Sequence, residues 1–387
     1  MGGNFFLIFS SIIIGIGFIE ASLRLTSISF PVFHDYDHRR AVRLRPGANG
    51  WYRKEGNAYI TINSLGYRDI EHEVEKPGDV FRIAVLGDSF VEARQVSIED
   101  TFWKRLERQL QNCPGLPSRK IEVLSFGVGG YGTAQELMTL QLHALGFAPD
   151  FVLLAFTIAN DFINNTRELA APISGDDFRP YYLVRDGELV LDDSFRDLSL
   201  TNLYRRFSLT AIHYSRTLEI INKVRRNLAV RRLQETTRYT GESELGLRDE
   251  VFLPPANEAW NKAWIITEAL IQRMAQEAAS AGAEFTLATI PAAIQVHPDA
   301  ARRRAFAERL GVEDLSYPDR HLQSLGRRLG FPVVSLTERM QDLSERTGTY
   351  LHGFENTALG RGHWNEEGHR VTADILTDDL CGSGLLR

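Results

Sequence analysis

Apolar runs without polar alternation constrain the fold of this chain more than any other feature. Residues 83–86, IAVL, lie between Arg82 and Gly87, and residues 151–158, FVLLAFTI, end in Ala159 and a polar pair. A strand covered by helices on both faces loses its alternating pattern, so these runs predict buried strands of a parallel sheet. Two residues, Gly87 and Asp88, separate Ser89 from the end of the first run. Ligands bind at the carboxyl edge of such sheets, which places this hydroxyl where chemistry can occur.

The rest of the chain repeats a strand–helix rhythm. The predicted strands are IAVL, IEVLSFGV, DFVLLAFT, EFTLATIP and PVVSL, and segments with helical spacing separate them. The composition, 43% hydrophobic and 24% charged, is typical of a globular protein. The sequence therefore predicts an α/β protein with a doubly wound, five-stranded parallel sheet and helices on both faces.

Three further regions depart from that rhythm. We assign residues 1–26 to an N-terminal anchor, residues 27–80 to a β-rich lead-in with Pro-Gly and Gly-Asn turns, and residues 81–387 to the α/β domain. Residues 168–255 within that domain are charged and partly helical, and they are interpreted as an insertion or cap. Insertions over a strand-end crevice control access, so this segment is expected to set substrate choice.

The N-terminus contains an uncharged, mostly apolar stretch over residues 5–19, closed by Glu20 and Arg24. A helix over residues 1–23 would be about 34 Å long, enough to cross a bilayer. A retained single-pass anchor is favoured over a cleaved signal peptide, because neither a basic leading region nor a small-x-small cleavage site is clear. The arginines all follow the stretch, and the positive-inside rule would then put the body in the cytoplasm.

Charge and cysteine content restrict the partners. The formal net charge is −6 and the pI is about 6.0, which argues against nucleic-acid binding. Residues 205–238 are locally basic, and they form either a solvated helix face or a surface for anionic lipid or glycan. The two cysteines, Cys113 and Cys381, either pair or remain as buried thiols. The sequence does not indicate an oligomeric state.

Polar clusters at the predicted strand ends supply the groups that acyl transfer needs. Ser89 is a candidate nucleophile, and His363 is the candidate base because imidazole titrates near neutral pH. The backbone N–H groups of Ser89 and Gly130 and the side-chain amide of Asn160 are candidate oxyanion donors. Asp88 and Asp161 are expected to hold these loops through backbone amides.

At these residues the chain resembles the SGNH, or GDSL-like, hydrolase superfamily. GDSF matches the first block at Ser89, FGVGGYG the second at Gly130, IAND the third at Asn160 and GHWNEEGH the last at His363. The order and spacing of the four blocks carry the resemblance, which covers roughly residues 60–175 and 255–380. It implies a flavodoxin-like sheet, serine chemistry on ester bonds, and neither metal nor organic cofactor.

Two positions depart from the family pattern. The family usually has an aspartate three residues before the histidine, where this chain has Gly360, and Ile158 replaces the usual glycine of the third block. Either the histidine works without an acid, or a carboxylate from elsewhere, such as Glu355, orients it.

The resemblance implies hydrolysis of a small acyl ester on a carbohydrate or lipid, with a membrane-anchored, extracytoplasmic catalytic domain. That location conflicts with the arginine distribution. Two alternatives remain open: an O-acyltransferase that uses the same serine with a sugar hydroxyl as acceptor, and a binding module that kept the fold without catalysis.

Overall fold

The computed structural model describes residues 2–113, 120–170, 178–236 and 247–382, without the side chains of residues 2–6, 199, 230 and 232–236. Parts of the predicted insertion, and Arg232 and Arg238 of the basic segment, therefore lie outside the description. The described strands are β1 (His34–Asp37), β2 (Ala41–Leu44), β3 (Asn49–Tyr52), β4 (Ala58–Thr61), β5 (Val80–Gly87), β6 (Lys120–Gly127), β7 (Phe151–Thr157), β8 (Tyr181–Arg185), β9 (Glu188–Asp192), β10 (Glu284–Ile290) and β11 (Val333–Ser335). The described α-helices are α1 (Gly2–Leu25), α2 (Ser89–Glu92), α3 (Phe102–Leu110), α4 (Thr133–Leu142), α5 (Asp161–Asn164), α6 (Ser199–Tyr214), α7 (Arg216–Thr236), α8 (Glu258–Ser280), α9 (Ala300–Leu310), α10 (Tyr317–Leu329), α11 (Thr337–Thr347) and α12 (Glu366–Gly382).

A five-stranded parallel sheet forms the centre of the molecule, in the order β11-β10-β7-β5-β6. This order is that of flavodoxin-like sheets, and it confirms the predicted doubly wound fold. Strand β5, which lies between β7 and β6, is buried along its whole length, in agreement with the apolar run over residues 83–86. Gly87 at its end pairs with Gly127 of β6 and Ala155 of β7, so the loops after these three strands emerge side by side.

Each face of the sheet carries its own apolar core, and β5 contributes to both. Ala84 and Leu86 join one core, which includes residues of α4, α8 and α10. Ile83 and Val85 join the other, which includes residues of α3, α11 and α12. Successive side chains of a strand point to opposite faces, so the run IAVL supplies two residues to each layer.

Besides the four-residue helices α2 and α5, two longer helices and one hairpin were not predicted from the sequence. Helix α9 reads AARRRAFAERL and helix α11 reads TERMQDLSERT, and both bury too few apolar side chains to show a clear stripe. The β8–β9 hairpin lies within residues 168–255, a segment expected to lack strands of its own. Only Tyr181 among the ten residues of its two strands is buried, which explains why their pattern carried no core signal.

The N-terminal part consists of α1 and two hairpins, β1–β2 and β3–β4. Within α1, the segment Leu7–Leu25 is long and apolar enough to cross a membrane, although a signal sequence has the same length and composition.

Cys113 and Cys381 form a disulfide, with 5.7 Å between their Cα atoms, which resolves the alternative that the sequence left open. The bond joins the segment after α3 to the end of α12 across 268 residues.

Candidate active site

Ser89 begins the short helix α2 directly after β5, and Asp88 caps that helix. Asp88 Oδ1 accepts hydrogen bonds from the Phe90 backbone N–H, at 2.9 Å, and from the Thr157 hydroxyl, at 3.1 Å. Asp88 Oδ2 accepts one from the Asn160 side-chain amide at 2.9 Å. The carboxyl group is fully buried, and this burial raises its pKa although the three hydrogen bonds oppose the rise. Through these hydrogen bonds, Asp88 connects the turn that carries Ser89 to the end of β7.

His363 lies between the Ser89 hydroxyl and a carboxylate. Its Nε2 is 2.9 Å from Ser89 Oγ, and its Nδ1 is 2.6 Å from Glu55 Oε2. The His363 backbone N–H also donates to Glu55 Oε1 at 2.8 Å, so one carboxylate holds both the ring and the main chain. This is the serine–base–acid arrangement that activates a hydroxyl group for attack on a carbonyl carbon.

Glu55, rather than the expected Glu355, is the carboxylate at His363. Glu55 lies in the turn between β3 and β4, 308 residues from the histidine, whereas Glu355 is exposed. The neighbouring Asn356 explains how the two regions meet: it accepts a hydrogen bond from Gly56 N at 3.0 Å and donates one to Gly56 O at 2.9 Å. The 355–357 loop therefore holds the hairpin that carries the acid.

Backbone geometry also explains why no acid stands at Gly360. Its φ is +77°, and a Cβ there would lie 2.9 Å from His297 Cδ2. An L-residue is strained in this conformation and would meet the imidazole, so an aspartate does not fit without rearrangement. Gly362, with φ +78°, is restricted in the same way, because a Cβ would lie 2.2 Å from Glu55 Oε1. Glu55 can therefore approach His363 because the neighbouring residue, Gly362, has no side chain.

Glu55 raises the proton affinity of the His363 imidazole. Burial lowers the pKa of His363, but the hydrogen bond and the negative charge of Glu55 outweigh it and raise the pKa above its ordinary value of 6.5. Conversely, burial raises the pKa of Glu55, but its bonds to His363 prevail and lower it. The neighbouring His352 is different: burial lowers its pKa to about 4, so it stays neutral near pH 7.

We expect the raised pKa of His363 to appear in the pH profile of ester hydrolysis. If His363 is the base, it can accept a proton from Ser89 only when its imidazole is neutral, so kcat/KM should rise with pH through an apparent pKa above 6.5. Initial rates at saturating and sub-saturating ester concentrations between pH 5 and 9 measure this acidic limb of the pH profile. A limb at or below pH 6.5 would contradict the coupling to Glu55.

The three candidate oxyanion donors lie on loops at the same edge of the sheet. The Ser89 N–H is the first of α2 and so has no partner inside the helix. Gly130 is exposed, with a φ of +85°. The Asn160 amide gives one N–H to Asp88, and a primary amide has a second.

Glu92 holds the turn that carries Gly130. The sequence analysis did not identify this residue. Glu92 is fully buried; its Oε2 accepts a hydrogen bond from Gly129 N, and its Oε1 pairs with Arg94 Nε at 2.8 Å. A Cβ on Gly129 would lie 2.7 Å from Glu92 Oε2 and 3.6 Å from Ser89 Cβ. Glycine at this position therefore allows the segment 126–132 to approach Ser89.

Arg68 is a second missed residue. This buried guanidinium donates to the carbonyls of Glu92, at 3.1 Å, of Ala93, and of Val96. Burial lowers its pKa to about 10, which leaves it charged near neutrality. The side chain of Arg68, from the lead-in, thus provides hydrogen bonds to three main-chain carbonyl groups at and after the end of α2. The chain leaves α2 there through Ala93, whose φ is +51°.

Two further acids are buried beneath the site. Asp161 Oδ2 accepts the Thr157 N–H at 2.7 Å, in agreement with the structural role expected from the sequence. Neither carboxyl oxygen of Glu136 on α4 has a hydrogen-bond partner among the described residues. Burial raises the pKa of both groups well above the ordinary range, and like charge nearby adds to the rise.

We expect Glu136→Gln to stabilise the protein at high pH. Below about pH 4.5, Glu136 is protonated in both the folded and the unfolded chain, so its ionisation does not change the free energy of unfolding. Above that pH the unfolded chain ionises while the folded group resists, which lowers stability. Glutamine removes this penalty, so unfolding at pH 8 should cost about 1–3 kcal/mol more, and the gain should vanish near pH 4. Thermal unfolding at both pH values measures it, with exposed Glu308→Gln as the control; a loss of stability at pH 8 would contradict it.

Trp364, the residue after His363, is part of the core. It is fully buried and packs edge-on against Phe90, at 5.0 Å between ring centroids, and against Phe102, at 5.9 Å. Phe90 in turn contacts the ring of His363 at 5.1 Å. The tryptophan therefore supports the histidine through its neighbour.

Solved structures with a similar chain path include several hydrolases, each at low sequence identity. They include an alpha/beta hydrolase enzyme from the metagenome of Lake Arreo, Spain (13% identity; 81% of this chain and 99% of that chain covered; TM-score 0.40) and a lipase from a goat rumen metagenome (12%; 79% and 100%; 0.41). An acetyl xylan esterase is similar at 12% identity, with 76% and 98% covered and a TM-score of 0.39. No protein-family model matches the sequence, and no curated protein matches it.

Proposed function

We propose that this chain is a serine hydrolase that cleaves ester bonds, with Ser89 as nucleophile, His363 as general base and acid, and Glu55 as the orienting carboxylate. The observation that carries the proposal is the continuous hydrogen-bonded line from Ser89 Oγ through His363 to Glu55, with distances of 2.9 and 2.6 Å. Each distance suits direct proton transfer or orientation without rearrangement.

The geometry supports a two-step mechanism. His363 Nε2 takes the Ser89 proton as Oγ forms a bond to the ester carbonyl carbon, and the resulting oxyanion is stabilised by the N–H groups of Ser89, Gly130 and Asn160. The imidazolium then protonates the leaving alcohol, which departs as the carbon–oxygen bond breaks and an acyl-serine remains. Water, deprotonated by the same histidine, releases the acid and restores Ser89.

Glu55 has two functions in this scheme. It fixes the proton on Nδ1, so that Nε2 faces the serine as an acceptor, and it stabilises the imidazolium that forms during each step. The acid that Gly360 lacks is thereby supplied from the lead-in, which removes the main sequence argument for a non-catalytic binding module.

Substrate choice is proposed to involve the insertion at residues 168–255. Arg179 from this segment donates to Gly130 O at 3.1 Å, so the insertion contacts the loop that bears an oxyanion donor. A short acyl group on a carbohydrate or lipid remains the proposed substrate. An O-acyltransferase would use the same acyl-serine with a sugar hydroxyl in place of water.

We further propose that α1 is a retained anchor and that the catalytic domain is extracytoplasmic. The disulfide between Cys113 and Cys381 supports an oxidising compartment. Glu20 of α1 supports retention, because it accepts hydrogen bonds from the backbone N–H groups of Arg216, at 3.0 Å, and Thr217, at 2.9 Å. Cleavage after the apolar stretch would leave the start of α7 without this cap.

The test is turnover of short-chain aryl esters by the detergent-solubilised full chain, together with labelling by an alkyl fluorophosphonate. We expect hydrolysis and a single adduct on Ser89, located by peptide mass spectrometry. Adding acetylated and unmodified oligosaccharides separates the activities: acyl transfer that outpaces hydrolysis would replace the esterase proposal with the transferase. Neither turnover nor labelling of the folded chain would overturn both.

A further inference from the structure

The side of helix α6 that faces the protein makes three polar contacts and also carries the half-buried side chains of Leu209 and Ile212. Asn202 Nδ2 donates to the carbonyls of Phe195, at 3.2 Å, and Arg196, at 3.1 Å. Arg205 lies over the Phe178 ring at 4.0 Å, and His213 Nε2 is 3.1 Å from His34 O. These three contacts lie on one side of the helix, because positions 202, 205 and 213 fall within about 80° of each other at 100° per residue.

The opposite side of α6 is an exposed apolar stripe. We define the α6 stripe as Leu200, Leu203, Tyr204, Phe207 and Tyr214, whose spacing of three, four and seven residues places them on one face. Their exposed fractions lie between 65 and 81%. A helix on the surface of a soluble protein usually turns its apolar stripe inward, whereas α6 leaves these five apolar side chains exposed.

The α6 stripe is continuous with the helix that has the properties of a membrane span. Arg24 of α1 donates to Tyr214 O, the last carbonyl of α6, at 2.6 Å. Glu20 accepts hydrogen bonds from Ser215 Oγ, at 3.0 Å, and from the first N–H groups of α7. The α6–α7 corner is therefore attached to the C-terminal end of α1, where a membrane span would leave the bilayer.

We propose that α6 lies in the interfacial layer of the bilayer that α1 spans, with the α6 stripe among the lipid chains. This rests on the proposal that α1 is an anchor, and it goes beyond the proposed catalytic function. Apolar side chains of α1, such as Ile14 and Phe18, are 71 and 76% exposed, so α1 and the stripe need the same apolar surroundings.

The composition of the stripe favours lipid as its occupant over a second protein. Tyr204 and Tyr214 have apolar rings with a polar hydroxyl group, a combination enriched where bilayer and water meet. Arg206 is exposed on the same helix, where its guanidinium reaches headgroup phosphates while the stem stays among apolar groups. A helix with one apolar face and one charged face lies in the plane of the interface, and a docked α6 about 24 Å long would fix the catalytic domain against the membrane.

Spin labelling of the full chain in phosphatidylcholine–phosphatidylglycerol vesicles tests the proposal. The native cysteines are joined in a disulfide, so a cysteine introduced at Phe207 is the one that reacts. The label at Phe207→Cys should collide readily with oxygen and poorly with a water-soluble nickel chelate. Arg304→Cys on α9, whose side chain is exposed, is the aqueous control, and Ile14→Cys reports on the anchor itself. We expect the oxygen-to-nickel accessibility ratio at Phe207→Cys to exceed that of Arg304→Cys several-fold.

The three labels separate the possible failures. Nickel access at Phe207→Cys equal to that at Arg304→Cys, with Ile14→Cys in lipid, would overturn the inference and leave the anchor in place. Nickel access at Ile14→Cys would overturn the anchor and the inference together, and neither result would affect the esterase proposal. Low access of both reagents at Phe207→Cys would indicate a protein partner and also overturn the inference, with dipolar broadening identifying a second copy.

A charge placed in the α6 stripe provides an independent check. Phe207→Glu should move a label at Tyr204→Cys toward water and raise its nickel accessibility several-fold. Thr201→Glu is the matched control, since Thr201 is also exposed on α6 and is outside the stripe, about 120° from Phe207 around the helix axis. Both variants should retain aryl ester turnover, which verifies folding. Equal nickel accessibility in the two variants would contradict the inference.

Discussion

Ser89→Ala should lower kcat for aryl ester hydrolysis by about 10⁴- to 10⁶-fold while leaving the fold intact. Alanine removes the attacking oxygen, so no acyl-enzyme forms, and only the oxyanion donors and substrate binding remain to assist water. The substitution deletes one hydroxyl group from a part-exposed side chain. It therefore creates no buried cavity, and thermal unfolding should change little.

The matched control for this variant is Ser97→Ala, eight residues along the same segment. The Ser97 hydroxyl is exposed and donates to Asp100 Oδ2 at 2.7 Å, remote from the His363 line, so activity should stay near that of the parent. The double variant Ser89→Ala/His363→Ala should be no slower than Ser89→Ala alone, because the two residues act as one unit. Activity in Ser89→Ala within tenfold of the parent would place the nucleophile elsewhere.

The sheet was predictable because its signal is local. Each strand of the central sheet is a short apolar run in the sequence, and burial on both faces removes the polar residues that would interrupt it. Helices such as α4 and α8 bury a wide apolar stripe and were predicted for the same reason. In contrast, α11 is held mainly by Met340 and a few small residues, and one buried methionine does not make a periodic pattern.

Three of the predicted site residues follow strands of the sheet, and His363 was identified from the block that resembles the family. Ser89 lies two residues after β5, Gly130 three after β6 and Asn160 three after β7, so parallel topology alone places these three at one edge. Glu55 follows no strand of the central sheet. It stands in a hairpin turn, where a charged residue beside a glycine is ordinary turn chemistry, and its partner is 308 residues away. A contact of this length is set by tertiary packing, and a single sequence carries no record of it.

Glu55→Gln should lower kcat by about 10⁴-fold, an effect second only to the loss of the nucleophile. Glutamine has the same shape, so its oxygen can still accept the His363 N–H that now goes to Glu55 Oε1. Its amide nitrogen then faces Nδ1 in place of Oε2, and as a donor it requires an unprotonated Nδ1. The proton moves to Nε2, the atom that must accept the Ser89 hydrogen, and the base is held in the wrong tautomer.

Glu355→Gln is the control that distinguishes the two acids. Glu355 is exposed, so its replacement should leave kcat and KM at parental values. The pH profile provides a readout that a structural defect would not produce. Without the hydrogen bond to a charged Glu55, the largest raising influence on the His363 pKa is lost while burial still lowers it, so the acidic limb of Glu55→Gln should shift to lower pH. Equal rates and equal limbs in Glu55→Gln and the parent would show that His363 works without an orienting acid. A large loss in Glu355→Gln instead would mean that the 355–357 loop, and not Glu55 alone, carries the function of the acid.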